Sequence, residues 1–275
     1  MRSKRLRIIL ILILCAVFAA SGITFAVRMA DYRRGEELYT DAQQRFVVQS
    51  PDAGETPEPP SDPEAAAQAA VPAVPPVTMD FDALAEINGD IIGWITIPDT
   101  NISYPLLQGE SNDTYLRTAY NFQPSRMGSI FMDFRCSADL CDRHTIIYGH
   151  NMRNSTMFSQ LLKYSSQSFY DSHPLFYIYT PEGRLTYKIF SAYMLTLPSE
   201  IYTIGFASDE SFEPFVASLT SNTAVATNLF PTGVDKVVTL STCSSTDAKN
   251  RRFVVHGYLI EDTRPGSPAM AGAAD

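Results

Sequence analysis

The 275-residue chain has no basic surplus: 21 Lys and Arg stand against 30 Asp and Glu, a net charge of −9. That balance excludes the basic face on which nucleic-acid binders depend. Cysteine and histidine are scarce, at four each. A zinc site would want several of them at short spacing, and none of the spacings supplies a full ligand set. No internal repeat is present. Apolar residues are not scarce: 45% hydrophobic and 11% aromatic residues exclude a chain too polar to build a core.

Charge is also missing from one long stretch. Ile8 to Val27 reads IILILILCAVFAASGITFAV, directly after Arg2, Lys4, Arg5 and Arg7. At a rise of ~1.5 Å per residue such a run crosses a hydrocarbon core of ~30 Å. A signal peptide usually has a shorter apolar region, about 7–15 residues, so an uncleaved anchor is the expectation, with Ala19, Ala20 and Ser21 as the cleavage alternative. Basic flanks stay on the cytoplasmic side, which places the rest of the chain outside a cell membrane.

Five segments follow: a basic tail (1–7), a transmembrane signal-anchor (8–27), a juxtamembrane helix with a Pro/Ala-rich spacer (28–78), one folded domain (79–262) and a disordered tail (263–275). The juxtamembrane helix is expected over Asp31 to Val48. The spacer, SPDAGETPEPPSDPEAAAQAAVPAVPPV, cannot build a core and reads as an extended tether holding the domain off the membrane. DFDALAEIN opens the domain as a helix stopped by Asn88-Gly89. Eight β-like runs come next: IIGWITI, ISYPLL, GSIFMDF, HTIIYGH, LFYIYT, RLTYKIFSAYMLTL, KVVTLSTC and RFVVHGYLI. Helical pieces at Ser155 to Tyr164 and Ser208 to Leu219 interrupt them. Their number and spacing suggest a mainly β barrel or sandwich.

Cys15 is a small residue inside the anchor. Cys136 and Cys141 share the loop RCSADLCDRH, where a disulfide, two free thiols or, with His144 alone in support, a metal site are open readings. Cys243 has no evident partner and closes a strand run, the place for a nucleophile if a base or a positive charge supports its thiolate. Among the histidines, His144 at a strand start and His173 in a Ser-His-Pro turn read as surface residues, and His256 as a core or edge residue. His150 ends the run TIIYGH at a polar loop. Arg252 opens the last run and can stabilise an oxyanion or clamp a carbonyl, with Arg251 as the alternative.

TLSTC (Thr239 to Cys243) followed by RFVV (Arg252 to Val255) resembles the active-site signature of the sortases, and IIYGHNM their histidine motif. INGDIIGWITIPDTNISYPLLQG and GSIFMDFR are similar to class B members, so the resemblance covers roughly Asp80 to Glu261. It implies a closed eight-stranded barrel with N-terminal helices and a helix in the long connection between strands six and seven. It also implies transpeptidation: Cys243 attacks the threonine carbonyl of an NPxTx-like or PPxTG-like sorting signal on a surface protein, and a cell-wall precursor amine or a pilin lysine releases the thioacyl-enzyme. His150, Cys243 and Arg252 are the implied catalytic residues. Asn112, Leu116, Tyr148 and Ser241 match groove or flanking positions, and Tyr202 matches more loosely. No cofactor or metal is implied, and the organism implied is Gram-positive.

Class B members often carry an acidic residue just after the cysteine. Here Ser244 and Ser245 follow it, with Asp247 as a substitute. The Cys136 and Cys141 pair is a second departure. Papain-like enzymes place Cys before His, the reverse of this order, and L,D-transpeptidases place His and Gly just before the Cys. A hydrolytic cysteine peptidase, or an inactive membrane-tethered scaffold or adhesin, are the competing functions.

Overall fold

The computed structural model describes residues 2–49, 77–234, 236–243 and 250–267. One helix, α1, runs over Arg2–Phe46 and carries the apolar run in its first half. That half is exposed, long and apolar enough to cross a membrane. The expected juxtamembrane helix is thus the second half of the same helix, and Val47 and Val48 belong to a strand. One side of this second half is buried at Tyr39, Ala42 and Phe46, each 0–3% exposed. The spacing of three and four residues places them on one stripe.

Strand β1 (Val47–Gln49) pairs antiparallel with β2 (Val77–Met79). The spacer between them, and the tail from 268, lie outside the described residues. Helix α2 (Phe81–Ile87) starts where the Asp80 carboxylate accepts from the amide of Ala83 at 3.0 Å, filling one of the N–H groups that a helix start leaves open.

All eight β-like runs become strands of one closed barrel. They are β3 (Ile91–Thr96), β4 (Ser103–Leu107), β5 (Ile130–Met132), β6 (His144–His150), β7 (Leu175–Thr180), β8 (Gly183–Thr196), β9 (Val237–Cys243) and β10 (Arg251–Asp262). The order around the barrel is β10-β8-β7-β3-β4-β5-β6-β9. Most neighbours are antiparallel, but β4 with β5 and β6 with β9 are parallel. Closure leaves no edge strand, and the interior is filled by residues such as Trp94, Ile147, Phe176, Leu240 and Val255.

The expected helix at 155–164 is a 3-10 helix over Phe158–Ser165, followed by helix α3 (Gln167–Ser172), which the sequence reading does not include. Helix α4 (Asp209–Leu219) occupies the connection between β8 and β9, the sixth and seventh barrel strands. With Ile201 it buries Phe212, Val216 and Leu219 against Val237, Val254 and Tyr258, forming a second apolar layer. This connection packs against β8, β9 and β10 and reaches the start of β6 at His144.

Candidate active site

Parallel pairing of β6 with β9 runs residue for residue from His144 opposite Val237 to His150 opposite Cys243. Both strands therefore end at the same level, neighbours separated by the ~4.8 Å of adjacent strands. The next strand, β10, pairs Val254 with Ser241. Beyond that pair the Thr242 hydroxyl accepts from the Phe253 amide at 3.0 Å, so Arg252 lies two residues past the end of the ladder on the strand beside β9, and Arg251 alternates to the other face. Arg252 is half-buried, Arg251 exposed. The Arg252 guanidinium donates to the Arg251 carbonyl at 3.0 Å, and its charge contributes to lowering the His150 pKa.

His150 follows Gly149 for a steric reason. A Cβ at 149 would stand 2.5 Å from Ile130 Cδ1 and 2.6 Å from the Phe158 ring. The β6 backbone thus lies directly on the core just before the histidine. The imidazole Nε2–H donates to the Leu116 carbonyl at 2.8 Å. A carbonyl only accepts, so Nε2 carries the proton and Nδ1 holds the lone pair of the neutral ring. Burial lowers the pKa of His150, and the charges of Arg117 and Arg252 lower it further, against the opposing Leu116 bond.

Of the residues matched to the groove, Asn112, Tyr148, Tyr202 and Ser241 form one network, while Leu116 meets His150 instead. Tyr148 sits opposite Ser241 across the parallel pair. Its ring stacks on Tyr202 at 6.3 Å with 17° between planes, and Tyr202 Oη lies 2.9 Å from Ser241 Oγ. The Tyr148 hydroxyl donates to Asp133 at 3.0 Å, and Asn112 Nδ2 donates to the same carboxylate at 3.1 Å. Arg135 completes it with two donors at 2.9 and 2.8 Å. Burial pushes the Asp133 pKa up, but the Arg135 bonds and those of Asn112 and Tyr148 outweigh it and bring it to about 2. Asn112 Oδ1 accepts from the Phe134 amide at 3.1 Å, so both ends of this side chain are engaged within the protein.

His144 is a correction: it is fully buried, not a surface residue. Its strand start lies under the β8–β9 connection, whose Thr203 carbonyl accepts from His144 Nδ1–H at 2.6 Å. Nε2 must then accept from the Thr239 hydroxyl at 2.7 Å, and Thr239 Oγ1 accepts from His256 Nδ1–H at 2.9 Å. One directed chain thereby ties β10, β9 and β6 to the residue after Tyr202. Sequence reasoning misses Asp133, Thr239 and this use of His144. Their only signal is polar character within or beside strands.

Cys136 is buried and Cys141 exposed, and both are free thiols. Burial raises the Cys136 pKa to about 11, which makes it an inert thiol at neutral pH. His173 stacks on Phe169 at 4.1 Å, away from this network. Asp247 lies outside the described residues.

A closed barrel with a histidine and a cysteine ending adjacent parallel strands defines a class of β-barrel cysteine enzymes. The sortase-domain family matches residues 95–260, more than half of the chain. Sortase B of Listeria monocytogenes is 36% identical over 178 residues, 64% of this chain and 72% of the relative. Sortase B of Staphylococcus aureus is 34% identical over 186 residues, 67% of this chain and 76% of the relative. Among solved structures, the Staphylococcus aureus sortase B–substrate complex is similar at TM-score 0.62 and 34% identity, over 66% of this chain and 84% of that one. Sortase B of Bacillus anthracis in complex with AAEK1 is similar at TM-score 0.68 and 31% identity, over 85% of this chain and all of that one. The chain belongs to the sortase family, class B, and is a cysteine transpeptidase of the kind that anchors proteins to the cell wall.

Proposed function

We propose that the chain is a membrane-anchored transpeptidase, its barrel outside the cell, that cuts a C-terminal sorting signal after threonine. The observation that carries this reading is the register of His150 with Cys243 on parallel strands, with Arg252 on the neighbouring strand. In the first step the Cys243 thiolate adds to the threonine carbonyl. Arg252 and a backbone N–H beside Cys243 balance the charge that develops on oxygen. The peptide C–N bond breaks, the thioester forms, and His150 gives a proton to the departing amine. In the second step an amine attacks the thioester, His150 takes its proton, and the thiolate leaves as the new amide forms. Burial, with the charges of Arg117 and Arg252, lowers the His150 pKa and so favours the neutral ring.

The groove reading assigns the wall to Tyr148, Tyr202 and Ser241, with Leu116 at the histidine and Asn112 acting through Asp133. The substrate complex known for the Staphylococcus aureus relative supports a peptide groove in this fold. The acceptor is a cell-wall precursor amine or a pilin lysine. The positively charged start of α1 and its exposed apolar half support the anchor.

Intact-mass analysis tests the reading. The chain from Asp31 onward, which keeps the part of α1 and the β1–β2 pair packed on the barrel, is mixed with NPxTx-like and PPxTG-like peptides, for wild type and Cys243→Ala. The expected result is a mass gain equal to the peptide up to its threonine, absent in the variant. An alkylation-resistant Cys243 with no adduct from any peptide would favour a scaffold instead.

A further inference from the structure

The chain reaches the barrel before it enters the Pro/Ala-rich segment. Helix α1 is continuous from Arg2 to Phe46, and its apolar run stops at Val27. Four residues later Asp31 pairs with Arg126 at 3.4 Å. Gly35 then lies against Met127, where a Cβ would collide with the sulfur. The Tyr39 hydroxyl donates to the Gly128 carbonyl at 2.6 Å, and Gln43 Nε2 to the Ser103 carbonyl at 2.7 Å. Tyr39 also meets the Tyr104 ring edge-on at 5.3 Å, and Ala42 and Phe46 complete the buried stripe. Contacts at every turn from 31 to 46 fix both the rotation and the height of the helix against the barrel.

After Phe46 the chain forms β1, and Gln49 stands directly opposite Val77 of β2. The segment from 50 to 76 therefore leaves and rejoins the domain at one place. A segment whose two ends are paired adds no length between an anchor and a domain, whatever its own extension.

We propose that α1, and not the Pro/Ala-rich segment, is the stalk that sets the height and orientation of the barrel over the membrane. Four residues at ~1.5 Å each separate the apolar run from Asp31, so the barrel edge at Arg126 stands within about 6 Å of the hydrocarbon boundary. This edge faces lipid headgroups. Arg126 lies in the same β4–β5 connection that supplies the Leu116 carbonyl to His150, so the site is held at a fixed distance from the lipid surface. The proposal rests on residues 8–27 spanning the membrane.

The test uses the full chain in liposomes, with a donor dye on an unnatural residue at the exposed Glu182 and an acceptor in the lipid headgroups. One variant replaces residues 50–76 by Asn-Gly, which suits a two-residue hairpin between β1 and β2. A second inserts eight Gly/Ser residues between Met29 and Ala30, ahead of the first contact. Thermal unfolding checks that both variants fold. The expected result is an unchanged dye-to-lipid distance in the first and a distance longer by up to about 15 Å in the second, the r.m.s. reach of a flexible eight-residue insert. A barrel that drops toward the bilayer on removing 50–76, or that ignores the insertion, overturns the stalk. Chain that fails to float with liposomes overturns the anchor itself, a separate outcome.

Discussion

His150 donates its Nε2 proton to the carbonyl of Leu116, 2.8 Å away in the connection between β4 and β5. This bond assigns the basic nitrogen to Nδ1 and leaves the ring between burial and two guanidinium groups. Burial and the charges of Arg117 and Arg252 lower its pKa. Arg117 is exposed, and its loss leaves the other causes in place. In Arg117→Gln the His150 pKa should therefore rise, as read by NMR titration of the imidazole. A fall, or no change, would show that Arg117 does not act on the ring.

The chain from His256 through Thr239 and His144 to Thr203 makes a second prediction. Thr239→Val removes a hydroxyl that both gives and accepts a hydrogen bond, orphaning one nitrogen of each buried histidine. At about 1–3 kcal/mol for each orphaned group, a loss of roughly 2–4 kcal/mol is expected in urea unfolding. Thr239→Ser keeps the hydroxyl and should cost about 1 kcal/mol or less. A loss in Thr239→Val no larger than that in Thr239→Ser would show that the two histidine bonds are not what the hydroxyl supplies.

The same histidines shape acid stability. Burial lowers His144 to about 4, and burial with the neighbouring His144 lowers His256 to about 3. Both lie below the ordinary value of about 6.5. In that interval the unfolded chain binds protons that the folded one refuses, so stability is complete above about pH 6.5 and falls as pH drops toward 3. Each histidine adds a slope of about 1.4 kcal/mol per pH unit inside its own window. Urea midpoints taken from pH 7 down to pH 4 should decline steadily, and a flat profile would contradict the buried neutral rings.

These two histidines also mark where the sequence stops being legible. All eight apolar runs are strands, because alternation and β-branched content report directly on a pleated, half-buried surface. The nearness of Cys243 to His150 is legible only through the sortase resemblance, since their meeting depends on a parallel pairing between strands 93 positions apart. His144 looks exposed at a strand start because the β8–β9 connection that covers it is distant in sequence. The Leu116 contribution is a backbone carbonyl and has no side-chain signature. The spacer reads as a tether by composition alone, and composition is silent on where its ends pair.

Gly149 predicts a coupling between packing and the site. Gly149→Ala would press a methyl group onto Ile130 and the Phe158 ring, at 2.5 and 2.6 Å. The ring atoms belong to a fully buried side chain, so β6 must shift instead. Overpacking of this kind costs about 1–3 kcal/mol. The shift moves the residue before His150, so peptide turnover should fall by more than the unfolded fraction explains. Thermal unfolding beside kcat measures both, and unchanged values in the two would disprove the close packing.

Asp133 decides whether Asn112 and Tyr148 serve the groove by touching peptide or by shaping it. Its carboxylate takes Tyr148, Asn112 and the Arg135 fork together, and its side chain is fully buried. Asp133→Asn turns an acceptor into a partial donor facing five donor groups: the Tyr148 hydroxyl, Asn112 Nδ2, two guanidinium nitrogens of Arg135 and the Arg135 amide. Arg135 is partly exposed and keeps some of its solvation, so a loss of about 2–3 kcal/mol is expected in denaturant unfolding. The wild-type carboxylate, held at about 2, contributes stability above the ordinary carboxylate range that is lost as pH falls through 2, and the variant should lack that acid limb. Tyr148→Phe removes one of the same bonds, so the two changes should not add: the double variant should recover about 1 kcal/mol of their sum. If Asn112 acts through Asp133, Asp133→Asn and Asn112→Ala should raise KM for the peptide together. Additive stabilities with an unchanged KM in Asp133→Asn would instead leave Asn112 to meet the peptide directly.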